Sequence, residues 1–236
     1  MKGLNIAIYF VLFFNTVFAQ DFRDERELYA ATKQINQFFK RFNSEEAISG
    51  KALYSKDSLF RNEGNRIKYL NILFDNENQA LSKSLKEEFI RDVTNKRNPQ
   101  FLEFHGGNWF AQVSCVFLWN GKNQDVTLFL RLQKEKVGSK WIIDRAYIQP
   151  FNSLFNKDTS ENKYFLHPLS HELDFMNLNK AFNDNKENIE AYTAREYQPD
   201  GLALLLYEVK RGNMKFKTIN EVKFHFFQIR NWYFEL

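Results

Sequence analysis

The chain has 236 residues and a formal net charge of +4, and its 26 phenylalanines stand against nine glycines and four prolines. A chain so rich in aromatic residues and so poor in flexible ones predicts a large folded core and excludes general disorder. The basic excess is small, and lysines and arginines alternate with acids. The sequence therefore predicts neither a nucleic-acid surface nor an anionic-membrane surface.

Residues 1–19 have the pattern of a secretory signal peptide. Lys2 gives a positive start, residues 6–14 are apolar, and Val17-Phe18-Ala19 matches a cleavage site. The apolar run is shorter than the roughly 20 residues of a membrane span. We therefore expect cleavage after Ala19, export to the periplasm or beyond, and no stable membrane anchor afterwards. Gln20 stands where a lipoprotein carries its acylated cysteine, so no lipid anchor is expected either.

Apolar residues at helical spacing predict three helices before residue 100. The first begins near Asp24, which forms a capped start with Glu27, and runs for about five turns. The third ends near Pro99, because the residue before a proline avoids helical geometry. The apolar positions are Leu28, Thr32, Ile35, Phe38, Phe39 and Phe42 in the first helix, Ile67, Leu70 and Phe74 in the second, and Leu81, Leu85, Phe89 and Val93 in the third.

From Gln100 the apolar period shortens to two residues, which predicts an antiparallel sheet. The only cysteine, Cys115, alternates with Val113 and Phe117 on one strand face, so we expect a buried, inert thiol and no intramolecular disulfide. The predicted strands cover residues 101–105, 109–119, 125–134 and 141–149.

Residues 150–166 are polar and without a sustained period, which predicts a connection. Ser170 then caps a further predicted helix, and Asp200-Gly201 introduces an apolar run that we interpret as a strand. A helix followed by strands would thus occur twice. The predicted strands of this half cover residues 202–209, 214–219, 221–229 and 232–236.

Helices that precede a meander whose late strand reads Lys140-Trp141-Ile142-Ile143-Asp144 resemble the NTF2-like, or cystatin-like, α+β superfamily. The resemblance covers about residues 24–149. It implies N-terminal helices packed on a curved antiparallel sheet that forms an apolar pocket, in a family of isomerases, dehydratases, cyclases and binding modules. We expect a signal peptide at 1–19, an NTF2-like α+β unit at 20–150, a connection at 151–169 and a second, smaller α+β unit at 170–236.

Asp144 and Tyr147 are the candidate catalytic residues, as base and oxyanion donor of a pocket lyase or isomerase. Strict alternation, however, places Asp144 on one strand face and Tyr147 on the other, beside Trp141 and Ile143. An ion pair of Asp144 with Arg145 or Arg131 is the plainer interpretation.

His167 and His171, with Glu172, are the candidate metal ligands. Two histidines four residues apart share a face only inside one helix, and Pro168 with the Ser170 cap places His167 before the helix begins. We therefore expect no metal site here and no cofactor. His225, which alternates with Lys223 and Phe227, is expected on a partly exposed sheet face.

Aromatic residues on both faces of the predicted strands indicate a ligand pocket or a partner surface. The sequence contains no phosphate-binding loop, dinucleotide glycine pattern or nucleophile elbow. We therefore expect a non-enzymatic exported module that binds a small apolar or sugar-like ligand, or an envelope protein. The candidate ligand-binding residues are Trp109, Trp119, Trp141 and Tyr147.

Overall fold

The computed structural model describes residues 35–47, 49–75, 77–154 and 200–236, and single positions at 182, 183, 186, 189, 192, 193 and 197. They form two compact units divided between Phe104 and His105. Within these residues, no helix combines the length and the apolarity needed to cross a membrane. The helix predicted after Ser170 lies outside the described residues.

The described part of the first unit contains three helices in the regions that the apolar spacing predicts, but the third ends at Val93 and not near Pro99. Helix α1 is described over residues 35–43, α2 spans Glu63–Leu73 and α3 spans Lys83–Val93. Asn62 and Ser82 cap α2 and α3, because their side-chain oxygens accept hydrogen bonds from Asn65 N and Leu85 N. Phenylalanine rings fill the space between the helices, and the contacts join Phe38, Phe39 and Phe42 to Phe89, Phe74 and Phe104.

The strand predicted at residues 101–105 is wrong, since this segment is irregular. The backbone of Leu102 in this segment forms its hydrogen bonds with a side chain and not with a neighbouring strand. Asn43 donates from Nδ2 to Leu102 O at 2.8 Å and accepts from Leu102 N at 2.9 Å. The amide of Asn43 therefore takes the place of a neighbouring backbone, and alternation alone does not distinguish the two arrangements.

The described part of the second unit is built on one antiparallel sheet of five strands. In their order across the sheet, the strands are β3 Gly138–Tyr147, β2 Lys122–Glu135, β1 Trp109–Trp119, β4 Met214–Phe226 and β5 Phe234–Glu235. The α+β class with helices and a curved antiparallel sheet is thus confirmed. Strands on both sides of the predicted connection belong to this sheet, because β4 pairs with β1.

Strand β4 is continuous, whereas the sequence predicted two strands separated near residue 220. The apolar alternation is interrupted there because the register of β4 against β1 shifts at two places, between Ser114 and Cys115 and between Val116 and Phe117. Such irregularities add a residue on one strand and bend the sheet. The apolar alternation is therefore interrupted although strand β4 is continuous.

One sheet face, which we call the inner face, packs against two helices. Strand β1 alternates between buried and less buried residues, with Val113, Cys115 and Phe117 buried as predicted. Helix α4, Gln149–Leu154, and helix α5, Gly201–Lys210, cover this face. Phe151 of α4 and Leu205 of α5 join the same core cluster.

Helix α5 replaces the strand predicted at residues 202–209, so that prediction is wrong. Asp200 caps the helix, since its side chain accepts a hydrogen bond from Leu202 N at 3.0 Å. Leu, Ala and Glu favour helices, and a short apolar run alone does not separate a buried strand from a helix. Gly201 lies so close to β3 that a Cβ atom would stand 2.6 Å from Ala146 O.

Candidate functional site

The sheet face opposite α4 and α5, which we call the outer face, carries a group of aromatic side chains. Phe110 lies opposite His225, Gln112 lies opposite Phe129, and His225 also pairs with Glu235. Directly opposed residues in an antiparallel pair point to the same face. Rings that follow β4 complete the group, which we call the outer aromatic cluster: Phe110, Phe129, His225, Phe227 and Tyr233.

Four of these rings are nearly parallel. Phe110 stacks on His225 with a centroid distance of 4.8 Å, and Phe227 stacks on Tyr233 at 4.9 Å. The two stacks lie side by side, since Phe110 is 6.0 Å from Phe227 and His225 is 6.0 Å from Tyr233. Phe129 meets Phe110 edge to face at 5.9 Å. Each of the four stacked rings thus contacts two others of the same group.

The members of the cluster differ in exposure. Phe227 and Tyr233 keep 50% and 51% of their surface in contact with solvent, whereas His225 keeps 8%. The sequence predicted His225 on a partly exposed sheet face, and this face does carry the half-exposed Phe227, although His225 itself is buried. The rings of Phe110 and Tyr233 cover the imidazole, which alternation along one strand does not reveal.

His225 is held by polar partners at both ring nitrogens. Nδ1 is 2.7 Å from the Tyr233 hydroxyl, and Nε2 is 3.1 Å from Oε1 of Gln112. The Tyr233 hydroxyl also donates to Oε2 of Glu235 at 3.2 Å. A chain of polar groups therefore links β1, β4 and β5 beneath the exposed rings and fixes the position of the Tyr233 ring.

The surroundings of Tyr233 raise the pKa of its hydroxyl. Partial desolvation is the main cause, and the carboxylate of Glu235 adds to it because a phenolate beside a negative charge is disfavoured. Tyr233 therefore remains a neutral hydrogen-bonding group at ordinary pH.

Charged side chains on the outer face occur largely in pairs of opposite sign. Lys223 Nζ lies 3.3 Å from Glu221, and Arg131 Nε lies 2.6 Å from Asp144. The second pair confirms the ion pair that the sequence predicted for Asp144. The charges within each of these two pairs therefore balance one another.

The predicted ligand-binding tryptophans lie on the inner face. Trp109 packs edge to face on Trp141 at 5.3 Å and stacks on Phe226 at 5.7 Å, and Trp109 is buried. Trp119 lies at the other end of β1, where it packs on Phe151. The structure thus brings Trp109 and Trp141 together and leaves Trp119 apart, with Trp109 in the protein interior.

Tyr147 lies on the face opposite Trp141, so the prediction that the two share a face is wrong. Tyr147 pairs with Thr127 and Trp141 pairs with Leu132, and the register of β3 shifts beside Asp144. This extra residue reverses the alternation between the two. Tyr147 is 48% exposed.

His167 and His171 lie outside the described residues. Within the described part of the chain, no group of three or more histidine, cysteine, aspartate or glutamate side chains is arranged to hold a metal ion.

Sequence reasoning did not select Phe129, Phe227 or Tyr233 as site residues. A signal was present in the alternation of Lys223, His225 and Phe227, which places all three on one strand face. What joins them to β1 is pairing over a separation of 113 residues, as between Gln112 and His225. Periodicity does not report such pairing.

Comparison with known proteins gives no relative: no family model, no curated protein and no solved structure matches this chain.

Proposed function

We propose that this protein is a non-enzymatic binding module and that the outer aromatic cluster is its ligand site. The observation that carries the proposal is that Phe227 and Tyr233 are about half exposed while both are held in stacks. Large aromatic rings gain free energy by leaving water, and a held group of them at the surface is typical of a binding site.

We place this activity outside the cytoplasm, in the bacterial envelope or the extracellular space, with a small ligand or an envelope protein as the partner. The support is the signal-peptide pattern of Lys2, the apolar residues 6–14 and Val17-Phe18-Ala19. Detection of a mature chain that begins at Gln20 in the exported fraction would test this part of the proposal.

We further propose a distant relation to the NTF2-like, or cystatin-like, superfamily. The support is the order of elements, in which helices come before a curved antiparallel sheet. The repetition of a helix-then-meander pattern in the second half stays a prediction, because the helix expected there lies outside the described residues and α5 stands where a strand was predicted.

The alternative, a pocket lyase or isomerase, stays a prediction from the sequence. It needs Asp144 or Tyr147 inside an apolar cavity. Asp144 forms an ion pair with Arg131, and Tyr147 is about half exposed, so no observation favours this second function.

The binding proposal is tested with small ring compounds, since stacking on the cluster is its central claim. Saturation-transfer NMR would be run on the full chain with phenol, indole and cyclohexanol as probes. We expect at least one probe to give a signal that the Phe227→Ala variant loses. Phe216→Ala is the matched control, because Phe216 is a 55% exposed ring of β4 that contacts Phe117 of the inner face. Signals that are the same in both variants would contradict the proposal.

A further inference from the structure

We infer that the ligand of the outer aromatic cluster is a neutral saccharide, an inference that rests on the function proposed above. Its first support is the degree of exposure of the rings. An apolar ligand needs a site that buries most of its surface. Phe227 and Tyr233 are about half exposed, so a ligand on them keeps one side in water. A sugar ring suits this arrangement, because its C–H face packs on an aromatic ring while its hydroxyls stay hydrated.

The second support is the pair of hydrogen-bonding groups beside the rings. Gln112 uses Oε1 for His225, and its Nε2 amino group has no partner within the described residues. Glu235 uses Oε2 for Tyr233, and its Oε1 likewise has no described partner, on a side chain that is 54% exposed. One group donates and the other accepts. Sugar hydroxyls do both, so they satisfy the two kinds of group together.

The third support is the charge around the cluster. Lys223 is paired with Glu221, and the carboxylate of Glu235 lies 3.8 Å from Nδ1 of His225. An anionic polymer would need unpaired cations here and would meet Glu235 instead. The Lys223–Glu221 pair and the neutral amide of Gln112 supply no free cation beside Glu235, so these surroundings disfavour an anionic ligand.

Affinity electrophoresis of the full chain tests the inference. The probes are the neutral polymers dextran, xylan and soluble β-glucan, with alginate as an anionic comparison. We expect at least one neutral polymer to retard the protein, and Phe227→Ala and Tyr233→Ala each to weaken that binding about tenfold, because each removes one stacking ring. Phe216→Ala is expected to bind as the parent chain does.

Glu235→Gln and Gln112→Ala provide variants that leave every exposed ring in place. Both are expected to weaken saccharide binding severalfold, and the near-ultraviolet circular dichroism spectrum would show that the aromatic packing is retained. These variants keep the inference testable if an alanine at Phe227 or Tyr233 prevents folding.

Three outcomes overturn the inference: no neutral polymer binds, alginate alone binds, or neutral polymers bind equally to the parent chain and to the cluster variants. If ring compounds bind at Phe227 while every saccharide fails, the binding function stands and its ligand class is wrong. If the ring compounds fail as well, the proposed function fails with the inference.

Discussion

Arg66 is a buried cation in the first unit whose hydrogen-bonding partners are backbone carbonyls. It is 2% exposed, and its guanidinium donates to Phe42 O, Val93 O and Gln100 O while it lies 4.3 Å from the ring of Phe101. Two of these carbonyls belong to the C-terminal ends of α1 and α3, where carbonyls lack helical partners and the helix dipole favours a positive charge. Burial, and after it repulsion from Arg61, lower the pKa of Arg66 to about 10, while Glu45 opposes the shift.

Arg66→Met should therefore destabilise the first unit, since the carbonyls of Phe42 and Gln100 lose the guanidinium donor and Val93 O keeps only Gln100 N. We expect a loss of about 3 kcal/mol in the free energy of unfolding. Urea denaturation followed by far-ultraviolet circular dichroism measures it. Arg91→Met removes an exposed arginine of α3 and is the control, with an expected change within about 0.5 kcal/mol. Equal effects of the two substitutions would contradict this role of Arg66.

Cys115 lies in the core, and burial raises the pKa of its thiol from 9.0 to about 11. The native thiol should therefore resist iodoacetamide at pH 8, because the thiolate is the reacting species, and should react once the chain is unfolded in urea. Mass spectrometry of the labelled chain gives the measurement. Rapid labelling of the native chain at pH 8 would show that the strand opens or that Cys115 is accessible.

The same shift makes stability depend on pH. The native chain holds the thiol proton more tightly than the unfolded chain does, so stability is full below about pH 9 and falls as pH rises towards about 11. Cys115→Ala should lose less stability than the parent chain between pH 8 and pH 10.5. Urea unfolding at both pH values, followed by tryptophan fluorescence, compares them. An identical pH dependence in the two chains would rule out Cys115 as the cause.

At the scale of elements, the position of α5 depends on Gly201. An added Cβ at this position would stand 2.6 Å from Ala146 O, which is backbone and has little freedom to move. Alanine normally favours a helix over glycine by about 1 kcal/mol. The contact with β3 reverses that preference, since it permits only a hydrogen atom at this place.

Gly201→Ala should thus lower the free energy of unfolding of the second unit by about 1–3 kcal/mol. Gly107→Ala is the matched control, because no atom lies within 4 Å of its added Cβ. Tryptophan fluorescence follows this unit alone, as all four tryptophans lie after residue 104. A stabilised Gly201→Ala chain would mean that helix propensity outweighs the contact.

Elements with sustained periodicity were predictable from the sequence, and elements set by a single contact were not. The apolar spacing found α2 and α3, and alternation found β1 with its buried face. The strand predicted around Leu102 was wrong, because the Asn43 amide makes the hydrogen bonds that a neighbouring strand would make. The strand predicted after Asp200 was wrong as well, because the Asp200 cap and the packing of the apolar residues favour a helix there.

The candidate site was less predictable than the fold. Trp109 and Trp141 were selected as large aromatic side chains. The inner face packs such side chains against one another, so they form part of the protein interior instead of a ligand site. Tyr147 was placed by an alternation that the shift beside Asp144 reverses. Phe227 and Tyr233 gain their significance from their position beside Phe110, which only the pairing of β4 with β1 creates.

At the scale of the molecule, the second unit needs strands from widely separated parts of the chain. Strand β1 is central in the sheet and pairs with β2 on one side and with β4 on the other. Without β4, a long row of backbone groups and buried apolar residues on β1 would be exposed. The strands of residues 105–150 should therefore not form a stable sheet by themselves.

A chain that ends after residue 200 should consequently give the tryptophan fluorescence of an unfolded second unit. A chain that ends after Ile229 loses only the two-residue strand β5 with its flanking residues and should keep the sheet. Comparison of their emission maxima separates these outcomes. Native emission from the shorter chain would show that β1, β2 and β3 fold without β4.

The wide separation between Gln112 and His225 also has a kinetic consequence. Contacts between distant parts of a chain form late, because a long loop must close before they add stability. Ligand binding at the cluster should therefore recover in step with the slowest folding phase of the sheet. Binding would then serve as a reporter of completed folding, silent in every intermediate in which β4 has yet to join β1.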